Sequence, residues 1–120
     1  MNLEMISKNL LHEIDECKER FELIKQKPEK TEELFYDKVK PTFEKVSDLT
    51  AKWKPLADDW IIKTNPKYIH LTQIESTVEN IEQIILQSFY KDINNQRFYN
   101  LYNSVEYILK TMLTELYNDI

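Results

Sequence analysis

The chain has 120 residues, of which 42% are apolar and 31% charged, and it carries a net charge of −5. That length suits a single domain, residues 1–120, around one core, and the composition is too apolar for disorder and too polar for a membrane protein. Residues 1–67 hold 13 basic and 14 acidic side chains and residues 68–120 hold 3 and 7, so neither half offers the basic stripe through which a nucleic-acid binder releases counterions.

From the start of the chain, Leu3, Ile6, Leu10, Ile14, Cys17, Phe21 and Ile24 recur at steps of three and four. This spacing predicts an amphipathic helix to about Gln26. Pro28 breaks it, and Thr31, with Glu32 and Glu33 behind it, is the expected N-cap of a second helix. The second helix has an apolar face of Phe35, Val39, Thr42, Val46, Leu49, Trp53, Leu56 and Trp60, an alternation of four and three that is bundle spacing. Pro41 and Pro55 interrupt it, each removing an amide donor at about 3 kcal/mol in a helix interior. Because the register runs through both, the expectation is one long helix kinked at Pro41 and/or Pro55.

Asn65 to His70 is the one segment without helical phase, and Pro66 biases Asn65 towards an extended conformation. Thr72 and Glu75 then form a capping-box pattern for a third helix with an inner face of Ile74, Val78, Ile81, Ile85, Ser88 and Phe89. Asn94 and Asn95 are the expected left-handed residues of the last turn. A fourth helix presents Phe98, Leu101, Val105, Ile108, Met112 and Leu116. Four such helices with short connections predict an all-α, antiparallel four-helix bundle.

The chain contains no glycine. Phosphate-cradling loops, dinucleotide-binding turns and the nucleophile elbow all need glycine at fixed positions, so these enzyme classes are excluded on backbone grounds. The longest uninterrupted aliphatic run, Ile84-Ile85-Leu86, is far shorter than the ~18 apolar residues of a membrane span. Together with one cysteine, Cys17, and no signal-peptide pattern at Met1 to Met5, this makes a cytoplasmic protein the expectation.

Candidate chemistry is sparse. A di-metal bundle needs Glu-x-x-His pairs, whereas Asn9 and Lys67 stand three residues before His12 and His70. No metal site and no cofactor are expected. His12 falls off the apolar stripe and reads as solvated, and Cys17 falls on it and reads as an inert buried thiol with no cationic neighbour. Trp53 and Trp60 read as core, and Glu75, Glu79 and Glu82 as a solvated row. Lys67, Tyr68 and His70 occupy a connection, where side chains can serve function. Their structural reading is that Tyr68 and Ile69 plug the bundle end while His70 caps the second helix. On the fourth helix Tyr99, Tyr102, Leu113 and Tyr117 widen the apolar arc to roughly half the wheel. That width marks either a partner-binding flank or a helix wedged between its neighbours.

Lys40-Pro41, Trp53, the run Pro66-Lys67-Tyr68-Ile69-His70 with Gln73-Ile74-Glu75 after it, Leu86-Gln87-Ser88, Arg97-Phe98 and Ser104-Val105 resemble the YppE-like family of small bacterial proteins. The resemblance runs from about Phe35 to Ile108, and Pro55 and the missing glycines are departures from it. It implies an antiparallel helical bundle in the cytoplasm of Gram-positive bacteria, in a family of unknown function, and it brings no catalytic residues. The expectation is therefore a non-enzymatic interaction module that meets a protein partner or a second copy, but neither nucleic acid nor membrane, through Lys67, Tyr68, His70, Tyr99, Tyr102, Leu113 and Tyr117. The alternative is an enzyme or small-ligand binder with its site at Lys67, Tyr68 and His70.

Overall fold

Side-chain spacing of three and four produces helices and nothing else in the computed structural model, which describes residues 1–118. The first helix, α1, is Leu3–Leu23, capped by Asn2, whose side chain accepts from the Met5 N–H at 2.8 Å. The second, α2, opens with the turn Glu32–Leu34, passes through a π-helical turn Phe35–Val39 and continues as Lys40–Thr64. Helices α3, Leu71–Tyr90, and α4, Asn95–Asn118, complete an antiparallel bundle measuring 46 × 27 × 22 Å. No strand occurs among the described residues.

Helices α1 and α3 form the central diagonal, each packing against the other three, while α2 and α4 sit on opposite flanks. Every predicted core residue of α1 except Ile24 is buried, and α3 buries Ile74, Ile81, Ile85, Ser88 and Phe89 as expected, adding Thr77, Ile84 and Gln87. Helix α4 lies over the groove between α1 and α3. Its wide apolar arc is used accordingly: Phe98, Val105, Ile108 and Met112 are joined in the core by Tyr102 and Leu109.

The structure corrects several local expectations. Helix α1 stops at Leu23 rather than near Gln26, because the Lys91 ammonium reaches across from the α3–α4 turn to Phe21 O at 3.1 Å and Ile24 O at 2.6 Å. A cation on terminal carbonyls satisfies groups that would otherwise extend the helix. In α2 the predicted register holds through both prolines at Val39, Val46, Trp53 and Trp60, all buried, and the shift falls before Pro41, in the π-helical turn. The Lys40 N–H bonds Phe35 O, five residues back, and this wider turn gives the Pro41 ring room against the carbonyl four residues before it. Phe35 is thereby turned out of the core, 40% exposed and edge-on to Tyr36. Further along, Thr50 and Ala57 are buried where Leu49 and Leu56 were expected, since a small side chain admits the neighbouring helix at closer range. Pro55 lies within the helix with Ala51, whose carbonyl it leaves unpaired, and both are exposed.

The left-handed residues are Asn65, with φ 48°, and Lys91, with φ 52°. Asn65 is not extended: Pro66 bars the right-handed helix there, and the left-handed turn lets the Asn65 N–H cap Ile61 O at 2.8 Å. Asn94 instead caps α4, accepting from the Arg97 N–H at 2.8 Å. Helix α3 begins at Leu71, not at a Thr72 cap. Its opening turn is closed by Gln73, whose Oε1 accepts from the His70 N–H at 2.7 Å.

Candidate functional site

The antiparallel topology gathers the first turn of α1, the last turns of α2 and α4, and the corner 65–70 at one end of the bundle. Pro66 and Ile69 plug this end, both buried. Tyr68, expected to share the plug, is instead 55% exposed. Lys67 and Tyr68 form a bend between the two buried residues and point outward. Lys67 places its ammonium 5.4 Å over the Tyr68 ring, and His70 is exposed, its backbone N–H engaged by Gln73.

Tyr68 forms one wall of a depression of about 430 Å³ whose other walls are Lys110, Thr111, Thr114, Glu115 and Asn118 of α4. On the far side of Thr114 lies a second depression, about 300 Å³, lined by Glu4, Lys8, Leu113, Thr114 and Tyr117. Tyr117 is 73% exposed and Leu113 half-buried. Met1, Met5, Ile62 and Leu71 are further exposed apolar side chains at this end. The structure thus brings Tyr68 together with Leu113 and Tyr117 around Thr114, though it lies 45 and 49 positions before them in sequence.

Tyr99 and Tyr102 belong elsewhere. Fifteen residues of helix put Tyr102 roughly 22 Å from Tyr117 along the axis. Tyr99 packs edge-on to Phe21, with ring centres 6.4 Å apart, and donates to Glu22 Oε2 at 2.8 Å. The Tyr102 hydroxyl, with one proton to give, sits between Asp15 Oδ1 and Glu106 Oε2. Burial and then these two carboxylates push its ionisation far above the ordinary tyrosine range. Both tyrosines fasten α4 to α1.

Sequence reasoning missed a groove of about 480 Å³ along the α3–α4 seam, walled by Gln73, Ser76, Thr77, Asn80, Asn103, Ser104, Tyr107 and Ile108. Short polar side chains at 76, 77, 80, 103 and 104 were visible, but their facing one another depends on the register of two antiparallel helices. Glu13 was also missed. It is buried on α1 and receives Lys45 Nζ at 2.6 Å. Cys17, read as lacking a cationic neighbour, has Arg20 Nη1 3.7 Å from its sulfur, and that guanidinium also donates to Ser88 Oγ at 2.8 Å. Burial nevertheless prevails and raises the thiol pKa, with Ser88 and Arg20 pulling the other way. His12 is exposed beside Glu16, and Glu75 and Glu79 face outward with Glu82 half-buried, in keeping with solvated readings.

An all-helical bundle with a plugged end and an aromatic rim is the class of protein this geometry defines. Residues 7–116 match the family described as a bacterial domain of unknown function, DUF1798, and the chain belongs to that family. It is 34% identical over 82 residues to the uncharacterized protein YppE of Bacillus subtilis, an alignment covering 68% of this chain and 67% of that one. The crystal structure of Bacillus subtilis YppE superposes with a TM-score of 0.85 at 25% identity, covering 98% of this chain and 94% of the other. A Listeria innocua protein of unknown function matches the fold with a TM-score of 0.88 at 21% identity, over 99% and 94% of the two chains. No helix among the described residues is long and apolar enough to cross a membrane.

Proposed function

We propose that this protein is a non-enzymatic cytoplasmic module that binds another protein through the end of the bundle formed by Tyr68, Leu113 and Tyr117. One observation carries the reading: two tyrosines distant in sequence stand exposed on either side of Thr114. Tyrosine offers apolar area with a polar tip at low entropic cost, which suits a surface that is wet until a partner covers it. Tyr99 and Tyr102, part of the originally expected surface, have their area and hydroxyls committed to α1.

Capture from Bacillus subtilis cytosolic extract on the immobilised chain tests this. Tyr68→Ser with Tyr117→Ser abolishes retention of the partner, and Tyr99→Phe leaves it intact. Retention that survives the first pair overturns the assignment.

The small-ligand alternative is favoured by the roughly 430 Å³ beside Tyr68, which falls in the range of ligand pockets. A molecule seated there meets Tyr68 and Lys110. NMR shifts at Tyr68 and Lys110 on addition of a metabolite panel support it, and a silent panel refutes it.

A further inference from the structure

Several charges at the tyrosine end are paired within the chain. Glu4 holds Lys8 at 3.1 Å, Asp59 holds Lys63 at 3.0 Å and Glu106 holds Lys110 at 3.3 Å. Lys67 and Glu115 make no ion pair among the described residues. One flanks Tyr68 in sequence and lies against its ring, and the other lines the depression beside it. A cation and an anion, neither in an ion pair among the described residues, therefore border the same exposed aromatic.

We propose that the occupant of this surface is a second copy of the chain, in a two-fold dimer where Lys67 of each copy pairs with Glu115 of the other across the Tyr68 and Tyr117 rings. This rests on the reading of the bundle end as an interaction surface and names its partner. A two-fold axis places each off-axis residue against a different residue of the same patch, so such an interface must be self-complementary. An apolar centre with one positive and one negative edge meets that requirement. A strongly basic or acidic partner would leave one of the two charges facing its like.

The size of the end sets the strength. A cross-section of 27 × 22 Å offers roughly 500 Å² per copy, below the ~800 Å² per partner of a standard interface. Association is accordingly weak and is read at high concentration.

Sedimentation velocity from about 10 µM to 1 mM provides the test, with circular dichroism confirming that each variant is folded. The wild type climbs from the monomer mass of 14.5 kDa towards twice that value. Lys67→Glu and Glu115→Lys each weaken the dimer about tenfold, because each puts like charges opposite one another at both symmetry-related positions. The double charge swap returns it to within about threefold of wild type. A chain that stays at monomer mass at 1 mM overturns the dimer, as does a double swap that fails to recover. If the chain is monomeric while Tyr68→Ser with Tyr117→Ser still abolishes capture of another protein from extract, the dimer falls and the interaction surface stands. If the tyrosine variants alter neither readout, both fall.

Discussion

The indole N–H of Trp53 donates to Ser7 Oγ at 3.0 Å, and the Ser7 hydroxyl in turn donates to Met112 Sδ at 3.5 Å. Three helices, α1, α2 and α4, meet in this fully buried chain of donors. Seven residues on, Trp60 has a buried indole N–H with no partner among the described residues. The two tryptophans share a face and a spacing, yet only one is satisfied.

Their replacement by phenylalanine should separate them. Trp53→Phe removes the donor to a buried hydroxyl as well as side-chain volume, whereas Trp60→Phe removes an unsatisfied donor whose burial already costs about 1–3 kcal/mol. Urea unfolding is expected to show Trp53→Phe as the more destabilising by at least about 1 kcal/mol, with Trp60→Phe near neutral.

Lys91 combines a left-handed backbone with a cap on two carbonyls of α1 and a position 4.5 Å over the Phe21 ring. Lys91→Ala loses the cap and keeps the backbone strain; Lys91→Gly loses the cap but relieves the strain. Lys91→Gly should therefore be the more stable of the two by about 1 kcal/mol, although both are weaker than wild type. Equality of the two in thermal or urea unfolding would show that the left-handed conformation carries no cost here.

Alkaline stability follows from two raised ionisations. Burial, Asp15 and Glu106 raise Tyr102 above 10.0, and Glu13 raises Lys45 above 10.5 by hydrogen bond and charge. In both cases folding favours the protonated form, so the stabilisation is fully present below the ordinary values and is lost as pH rises through the raised ones. Unfolding midpoints should fall above about pH 10, and less steeply in Tyr102→Phe. The late phase of tyrosinate absorbance near 295 nm should shrink in the same variant.

Cys17 is buried and its thiol pKa raised. A thiol reagent should label the folded chain at a rate set by its opening, falling steeply with added stability and becoming fast only in denaturant. Rapid labelling of the folded chain at neutral pH would contradict the packing around Cys17, Arg20 and Ser88.

What the sequence determined by itself is the class of structure: four amphipathic stripes, Thr31 as a cap, and breaks at Pro28 and at Asn65 to His70. These depend on side-chain period and on backbone chemistry local to a few residues, which a linear string displays in full. Only the tertiary structure decided the rest. Lys91 and not Asn94 is left-handed because its ammonium finds α1, Ala57 and not Leu56 is buried because a neighbouring helix presses there, and Tyr68 joins Tyr117 because antiparallel helices return to the same end. Each of these is settled by a contact between residues far apart in the chain, and no local spacing encodes which distant side chain will arrive.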